Sequence, residues 1–506
     1  MKMEWRLLLN TTRIKDLDES DSKEKLVQND HRSEFQRDYD RCLFSTPVRR
    51  LQDKAQVFPL EPHDSVRTRL THSLEVSNIA KAIAERVGYN LVEKKEIDKN
   101  QFEDIVYMAS TCALIHDLGN PPFGHSGEDA MRDWFKKRIN EIGDIVVKNE
   151  AHKQDFLNFE GNAQTIRLVS KLQMLGDFSG LNLTVGTLSA SRKYIGPSDK
   201  FKEGEGQQYK KLGYFQSESS IINKVEELTG TQERRHPVTY LVEAADDIVY
   251  SVIDLEDGIK KGVLSWQEVR QELYGLIPEI IDRAEQNIFD RAVKQKFNPL
   301  SDIDELKNNA QKVVGGDEIL IDKYVHQYCE FEELSGQSLS EARMNVLRTL
   351  LIGKNIKAVV NEFLGNYDQI MSGKYNDELV ANPECEKIIS ACKDIAVKKI
   401  FNYPDILKLE IMGRNIVHEL MDHFWDGIDR YPYNVKEGDV KKRKLYPFNY
   451  KIYTLLSSNY KAVFEYNFRN SDDGDKNYVK LQLLGDYICG MTDSFAKQLH
   501  KDVKNG

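Results

Sequence analysis

His116 and Asp117 end a stretch, Met108 to Ile115, that is otherwise free of charge. An apolar run of this length reads as a buried helix, and Gly119 followed by Pro121-Pro122 stops it. Neutral imidazole and carboxylate are both ligands for divalent cations. Burying the two without a partner is expensive, so a metal ion is the economical occupant. A lone His-Asp dipeptide is more often a salt-bridged helix end. This one is followed by His125 and Glu128, spaced i, i+3 at the start of what reads as the next helix. Such a pair suits acid–base work beside a metal, outside its ligand shell.

Other helices must bring partners to that helix end. Arg67-Thr68-Arg69-Leu70-Thr71-His72 leads into a segment where Val76, Ile79, Ala80, Ile83, Ala84 and Val87 keep the i, i+3, i+4 spacing of an amphipathic helix. His72 falls in its first turn and can point off the end. Further on, Leu241 to Asp257 reads as a strongly helical run in which Asp246, Tyr250 and Asp254 recur at i+4 along one face. An ordinary solvated acidic face would look the same, but the surrounding valines and isoleucines make full solvation hard. Four candidate ligands, His72, His116, Asp117 and Asp246, thus occur in the order H…HD…D on three helices. They are too far apart for a local finger, so the site exists only once the helices pack. Two imidazoles and two carboxylates suit a borderline-to-hard divalent ion, with positions left for water and a phosphate oxygen.

Several flanking stretches are built to meet anions. Ser45 or Thr46 can cap a helix with Pro47 at its first position, which would gather Arg49, Arg50 and Lys54. A helix from about Phe156 carries Asn158, Glu160 and Asn162 at its mouth, where free amides suit an anion. Leu181 to Gly213 reads as a long, irregular, basic loop, and such loops are usually functional or disordered. Helices are expected over Leu273 to Val293 and Ala342 to Leu364. The run Lys441-Lys442-Arg443-Lys444 would normally be a solvated loop.

Composition limits the class. The 506 residues are 40% hydrophobic and 30% charged, as in an ordinary water-exposed globular chain. No apolar run reaches the length of a membrane span, and the N-terminus lacks the core of a secretory signal. The six cysteines form no C-x-x-C pair, which points to reduced thiols and a cytoplasmic protein. A net charge of −10 argues against attraction of the whole molecule to nucleic acid, though local basic patches can bind phosphates. The charge-dense residues 1 to 40 are expected to form a peripheral arm.

In PVRRLQDKAQVFPLE, VRTRLTHSLEV, LIHDLGNPPFGHSGEDA, NFEGNAQTIRLV and YLVEAADDIVYSVIDLEDGI the chain resembles the deoxyguanosine triphosphate triphosphohydrolases (dGTPases) of the HD-domain superfamily. Weaker similarity runs through LKLEIMGR to LLGDYICGMTD. The resemblance implies an all-α, predominantly helical fold. Its HD-type metal-dependent core would span 41–280, and a C-terminal helical region, 281–506, would contribute base recognition and oligomer contacts. It implies hydrolysis of dGTP, or of other dNTPs, to the deoxynucleoside and intact inorganic triphosphate. His72, His116, Asp117 and Asp246 match the metal ligands, for one Mg or Mn ion per subunit, and His125 and Glu128 match the catalytic pair. Asn162, Lys193 and Tyr250 match positions around the phosphates, Gln56 and Asp254 positions near the sugar 3′-hydroxyl, and Glu410 one that meets guanine. An arginine near the base corresponds to Lys442 or Arg443, with Arg443 preferred. A homo-oligomer, a hexamer by resemblance, and single-stranded DNA are the implied partners beside the nucleotide, with no membrane. Two other readings stay open: an HD phosphohydrolase acting on a different nucleotide phosphate ester, and a nucleotide-sensing protein that binds single-stranded nucleic acid. Release of triphosphate rather than monophosphate separates the first of these from a dGTPase.

Overall fold

The computed structural model describes residues 2–17, 31–61, 63–173, 177–200, 206–286, 337–431, 433 and 447–505. Among them helices carry nearly everything, and the β-structure is confined to the isolated bridges Arg13–Thr184, Ala55–Thr68 and Pro197–Tyr214. This is the all-α fold expected. No described helix is long and apolar enough to cross a membrane. The basic run 441–444, with Lys442 and Arg443, lies outside the described residues.

The chain divides into two compact units, and not at residue 280. The first comprises Met1–Asp246, Val360–Leu379 and Asp405–Gly506; the second comprises Asp247–Val359 and Val380–Pro404. In the first, one apolar core joins Leu114, Ile115 and Trp134 to Phe424, Leu484 and Ile488. The C-terminal helices therefore share a core with the segment that carries the His-Asp dipeptide. In the second, Pro237–Lys260 continues past Asp246, and Gly258 lets Ile400 close on it, since a β-carbon there would lie 2.6 Å from Ile400 Cδ1.

The helices that carry His72 and lead to His116 begin where the sequence provides caps. Thr68 and Thr71 form a reciprocal capping box at the head of Arg69–Glu93, and Asp98 and Gln101 do the same for Lys99–Ile115. Each cap contributes about 1 kcal/mol. These two helices lie close together: Ser77 Oγ donates to the Ser110 carbonyl at 2.8 Å, and Gly88 leaves room for the Phe102 ring. Their packing sets His72 beside His116.

Three stretches differ from expectation. Residues before 40 are not simply peripheral: Trp5, Leu8 and Phe35 are buried, and buried Asp38 binds Arg13 at 3.0 Å. Arg13 also pairs with Glu34, and charge density alone does not distinguish such internal pairs from a solvated arm; residues 18–30, the densest part of the run, lie outside the described residues. The helix that follows Ser45 is only Thr46–Arg50, without a side-chain cap from Ser45, and a 3-10 turn comes next, so Arg49, Arg50 and Lys54 do not share a face. Lys54 instead turns inward and donates to the carbonyls of Asn120, at 2.5 Å, and Cys489, at 2.7 Å. Finally, a helix ends at Leu273 and another runs over 278–286, because Pro278 interrupts the expected single span. The long helix over Ala342 to Leu364 is present as Gln337–Gly365.

The expected basic loop, described except for 201–205, holds a short helix, Val185–Ala190, and beyond it only 3-10 turns among the described residues. Its limbs pair through Gly213 N–H to the Gly196 carbonyl at 2.9 Å, and Asp155 ties both together. That carboxylate accepts from Ser198 Oγ at 2.6 Å on one limb and from Gln216 N at 2.8 Å on the other.

Two outcomes follow from this packing. A β-carbon on Gly119 would stand 2.1 Å from the Gly161 carbonyl oxygen and 2.3 Å from Thr165 N, both main-chain atoms that cannot swing away. Gly119→Ala is expected to destabilise the protein by at least about 1–3 kcal/mol, read by urea titration. Burial pushes the Lys54 ammonium down to about 8 from 10.5. The unfolded chain then binds more protons than the native one between those values, so this group's contribution to stability rises from pH 8 to about 10.4. A neutral amine still has two N–H groups for the two carbonyls. Relative to Lys54→Met, the wild type should gain on the order of 3 kcal/mol over that interval, measured by paired urea titrations.

Candidate active site

The site assembles at the first turn of Arg69–Glu93, the end of Lys99–Ile115 and the helix carrying Asp246. His72 Nε2 stands 3.1 Å from Asp246 Oδ1, and His116 Nε2 stands 3.6 Å from the same oxygen. The imidazoles meet edge to face, with centroids 5.4 Å apart. One donor atom from each of His72, His116 and Asp246 lies within 4.8 Å of the others, close enough to share an ion. The tautomer of His116 suits that. Its Nδ1 lies 2.7 Å from the Ala113 carbonyl, which can only accept, so Nδ1 carries the proton and Nε2 keeps a lone pair. Burial opposes the charge on Asp246, but His116 and the hydrogen bond from His72 outweigh it and hold the carboxyl well below its usual range.

Asp117 stands at the edge of this cluster. Its Oδ2 is 3.6 Å from His116 Nε2 and is paired with the guanidinium of Arg69. Its Oδ1 accepts from Asn120 Nδ2 at 2.6 Å. Burial again opposes ionisation, and Arg69 and His116 more than offset it. The structure thus brings three of the four expected ligands into one group and gives the fourth a strong ion pair one residue away. The donor set fits a divalent ion: two imidazole nitrogens and ionised carboxylates, with His116 already in the required tautomer.

His125 and Glu128 stand on Gly124–Lys136, just past the turn. By surface area His125 is exposed, yet protein crowds its ring: loss of solvent and then Arg69 lower its pKa, while Asp117 pulls it up. Glu128 is buried and turned away from the expected contact with His125. Its Oε1 accepts from Arg132 at 2.8 Å, and its Oε2 accepts from Gly161 N at 3.0 Å, at the head of Gly161–Arg167. The i, i+3 spacing permits a contact, but an open helix N-terminus is the better partner for a buried carboxylate.

The sequence reading named Glu160, Asn162 and Lys193 near this pair but missed the charged groups that hold them, Arg132, Lys211, Glu243 and Arg235. Glu160 Oε1 accepts from Asn162 Nδ2 at 2.8 Å and from Lys211 Nζ at 3.1 Å, and Oε2 lies 3.7 Å from Arg132. Burial and then Glu128 raise the Glu160 pKa, against the pull of Lys211. Lys193 Nζ is 3.7 Å from Glu243 Oε1, and Glu243 also pairs with buried Arg235. The one signal available was the place of Glu243 in VEAADD, a turn before Asp246.

The remaining expected residues are more dispersed. Gln56 is half-buried, and its Oε1 is buried with no hydrogen-bond partner among the described residues. Glu410 lies on Pro404–Asp429, and its carbonyl accepts from Ser126 Oγ at 3.0 Å, which docks that turn on the His125 helix. Burial and Asp129 raise its pKa. Tyr250 and buried Asp254 belong to the second unit, one and two turns beyond Asp246 on the same helix. Arg443 is outside the described residues.

Comparison with known proteins agrees with this chemistry. The family described as HD domain matches residues 69–174. A deoxyguanosinetriphosphate triphosphohydrolase-like protein of Listeria innocua is 36% identical, over 99% of both chains. One from Synechocystis is 30% identical, again over 99% of both. A deoxyguanosinetriphosphate triphosphohydrolase of Yersinia enterocolitica is 30% identical over 91% of this chain and 92% of its own. Likeness sustained over whole chains, around a His/Asp cluster able to hold a metal, places this enzyme in the deoxyguanosinetriphosphate triphosphohydrolase family of HD-domain hydrolases.

Proposed function

We propose that the enzyme hydrolyses dGTP to deoxyguanosine and inorganic triphosphate, using one Mg or Mn ion held by His72, His116, Asp117 and Asp246. The observation that carries this reading is the convergence of His72, His116 and Asp246 on one point. The bound ion would polarise the α-phosphate and organise water. Water oxygen bonds to the α-phosphorus, the bond from phosphorus to the 5′-oxygen breaks, and that oxygen leaves as the nucleoside hydroxyl with one proton gained. Triphosphate departs whole. His125 is the group that moves the proton, and Glu128 fixes the helix beneath it by binding Arg132 and Gly161 N.

Lys193 and Asn162 face the phosphates in this reading, joined by Lys211 and Arg132 from the charged groups around Glu160. Tyr250, Gln56 and Asp254 take their roles at phosphate and sugar from the resemblance, as does Arg443 at the base. Glu410 accepts from the N1–H and N2–H₂ donors of guanine, an edge that adenine lacks. The enzyme works as a homo-oligomer, a reading supported by exposed Phe44, Ile411 and Phe448. The direct test is product identification with dGTP and metal: triphosphate supports the reading, and monophosphate with a nucleoside diphosphate overturns it.

Two variants separate holding the ion from moving the proton. Asp246→Ala should lose both bound metal and turnover. His125→Ala should keep metal and still bind dGTP while kcat falls at least ~100-fold, in line with general acid–base contributions. Metal analysis beside steady-state kinetics checks both, and loss of metal in the His125 variant would make it a ligand. For the base, Glu410→Gln should lower the dGTP to dATP ratio of kcat/KM by roughly 10- to 150-fold, the loss of a hydrogen-bonded charge. An unchanged ratio would remove Glu410 from base recognition.

A further inference from the structure

Asp493 opens the C-terminal helix Asp493–Asn505 and is almost wholly buried. Both of its oxygens are spent on main-chain amides from distant segments. Oδ2 accepts from Ala55 N at 3.0 Å, and Oδ1 accepts from Phe123 N at 2.9 Å. Ala55 immediately precedes Gln56 and bridges to Thr68, the cap of the His72 helix. Phe123 is the residue from which the His125 helix starts.

Phe123 is in the left-handed region, at φ 64° and ψ 21°. Bulky L-residues rarely adopt it, so the surroundings must hold it there. No side chain caps this helix start. Two contacts do the holding. The Phe123 ring fits against Gly413, where a β-carbon would come within 2.5 Å of it, and the Phe123 amide is bound by Asp493. Lys54 adds a second tie by bridging the carbonyls of Asn120 and Cys489. The turn between Asp117 and His125 is thereby fastened at two points to residues 489–493.

We propose that Asp493 is a positioning residue of the hydrolytic reaction: by fixing the amides of Ala55 and Phe123, it sets where Gln56 and His125 stand. This rests on the reading of the site given under Proposed function. Two converging amides need two acceptor atoms, which a carboxylate has. Asparagine has the same shape but one acceptor, so one amide would be left facing an NH₂ group. The turn then loses its hold on the left-handed residue, and His125 moves. A displacement of about 1 Å at a reacting group can lower the rate by about 10²-fold.

Wild-type enzyme is assayed first for triphosphate release; its absence there defeats the reading of the site and leaves Asp493 out of the matter. With an active wild type, Asp493→Asn is expected to lower kcat by ~10- to 100-fold while KM and bound metal stay within about twofold. Ser494→Ala, which removes only a surface hydrogen bond to Asp53, should match the wild type. An Asp493→Asn enzyme with unchanged kcat overturns the proposal. So does one whose metal content and melting temperature fall in step with kcat, since the residue would then be merely structural. If Asp493→Asn does not fold, amide hydrogen exchange on the wild type decides. The Phe123 and Ala55 amides should exchange as slowly as those inside helices, and fast exchange at Phe123 overturns the assignment.

Discussion

Main chain meets main chain at Gly119, where the end of the His116 helix abuts the start of Gly161–Arg167 and no β-carbon fits. Gly119 N also donates to Thr165 Oγ1 at 2.9 Å, which fastens the contact. Much of the site depends on this approach. It ends the His116 helix with its last side chains aimed at Asp246, and it brings the amide of Gly161 within reach of Glu128. Gly161 is constrained in turn, because a β-carbon on it would strike Asn120 Oδ1 at 2.2 Å. Asn120 is the residue that holds Asp117. Two glycines thus let three polar groups share a space that larger residues would have filled.

Charge is the second organising constraint. Four acids of the site, half-buried Asp117 and buried Glu128, Glu160 and Glu243, have a cationic or helix-end partner: Asp117 has Arg69, Glu128 has Arg132 and Gly161 N, Glu160 has Lys211, and Glu243 has Arg235 and Lys193. An unpaired ion at such positions would cost several kcal/mol. The arrangement also leaves Lys193, Lys211 and Arg132 among carboxylates rather than among one another. A polyphosphate entering there would compete with those carboxylates for cations already in place. Local cationic groups on a chain of net charge −10 are therefore consistent with a small anionic substrate.

What could be read from the sequence was what is local. The charge-free run before His116, the Gly-Pro stop and the apolar spacing after His72 each follow from a few neighbouring residues, and the helices form as those residues require. The all-α class followed for the same reason. Less legible were interactions whose partners are far apart. Lys54 looked like one of three surface cations and is buried against Asn120 and Cys489. Glu128 looked like the partner of His125 and instead caps a helix that begins 33 positions later. Residues before 40 looked solvated because Arg13 and Asp38 neutralise each other only in the folded state. Spacing within a helix is fixed by its geometry, whereas the choice between two available partners is made by tertiary packing.

The HD family match holds only part of the site and few of its supports. Residues 69–174 contain the first two imidazoles, Asp117, His125 and Glu128, but not Asp246. Nor do they contain the groups that hold them. Arg167 is buried and reaches outside that span, with Nη2 2.7 Å from Asp486 Oδ2 and Nη1 3.1 Å from Glu218. Asp155 accepts from Tyr478 at 2.6 Å, and Phe123 N donates to Asp493. Cut out alone, the matched segment would leave a guanidinium, a buried acid and a left-handed turn without their partners. Removing one partner of such a buried pair is strongly destabilising. His116, Asp117, His125 and Glu128 are close in sequence because they flank one turn, and the supports of that turn are far away because only tertiary contacts can hold it from outside.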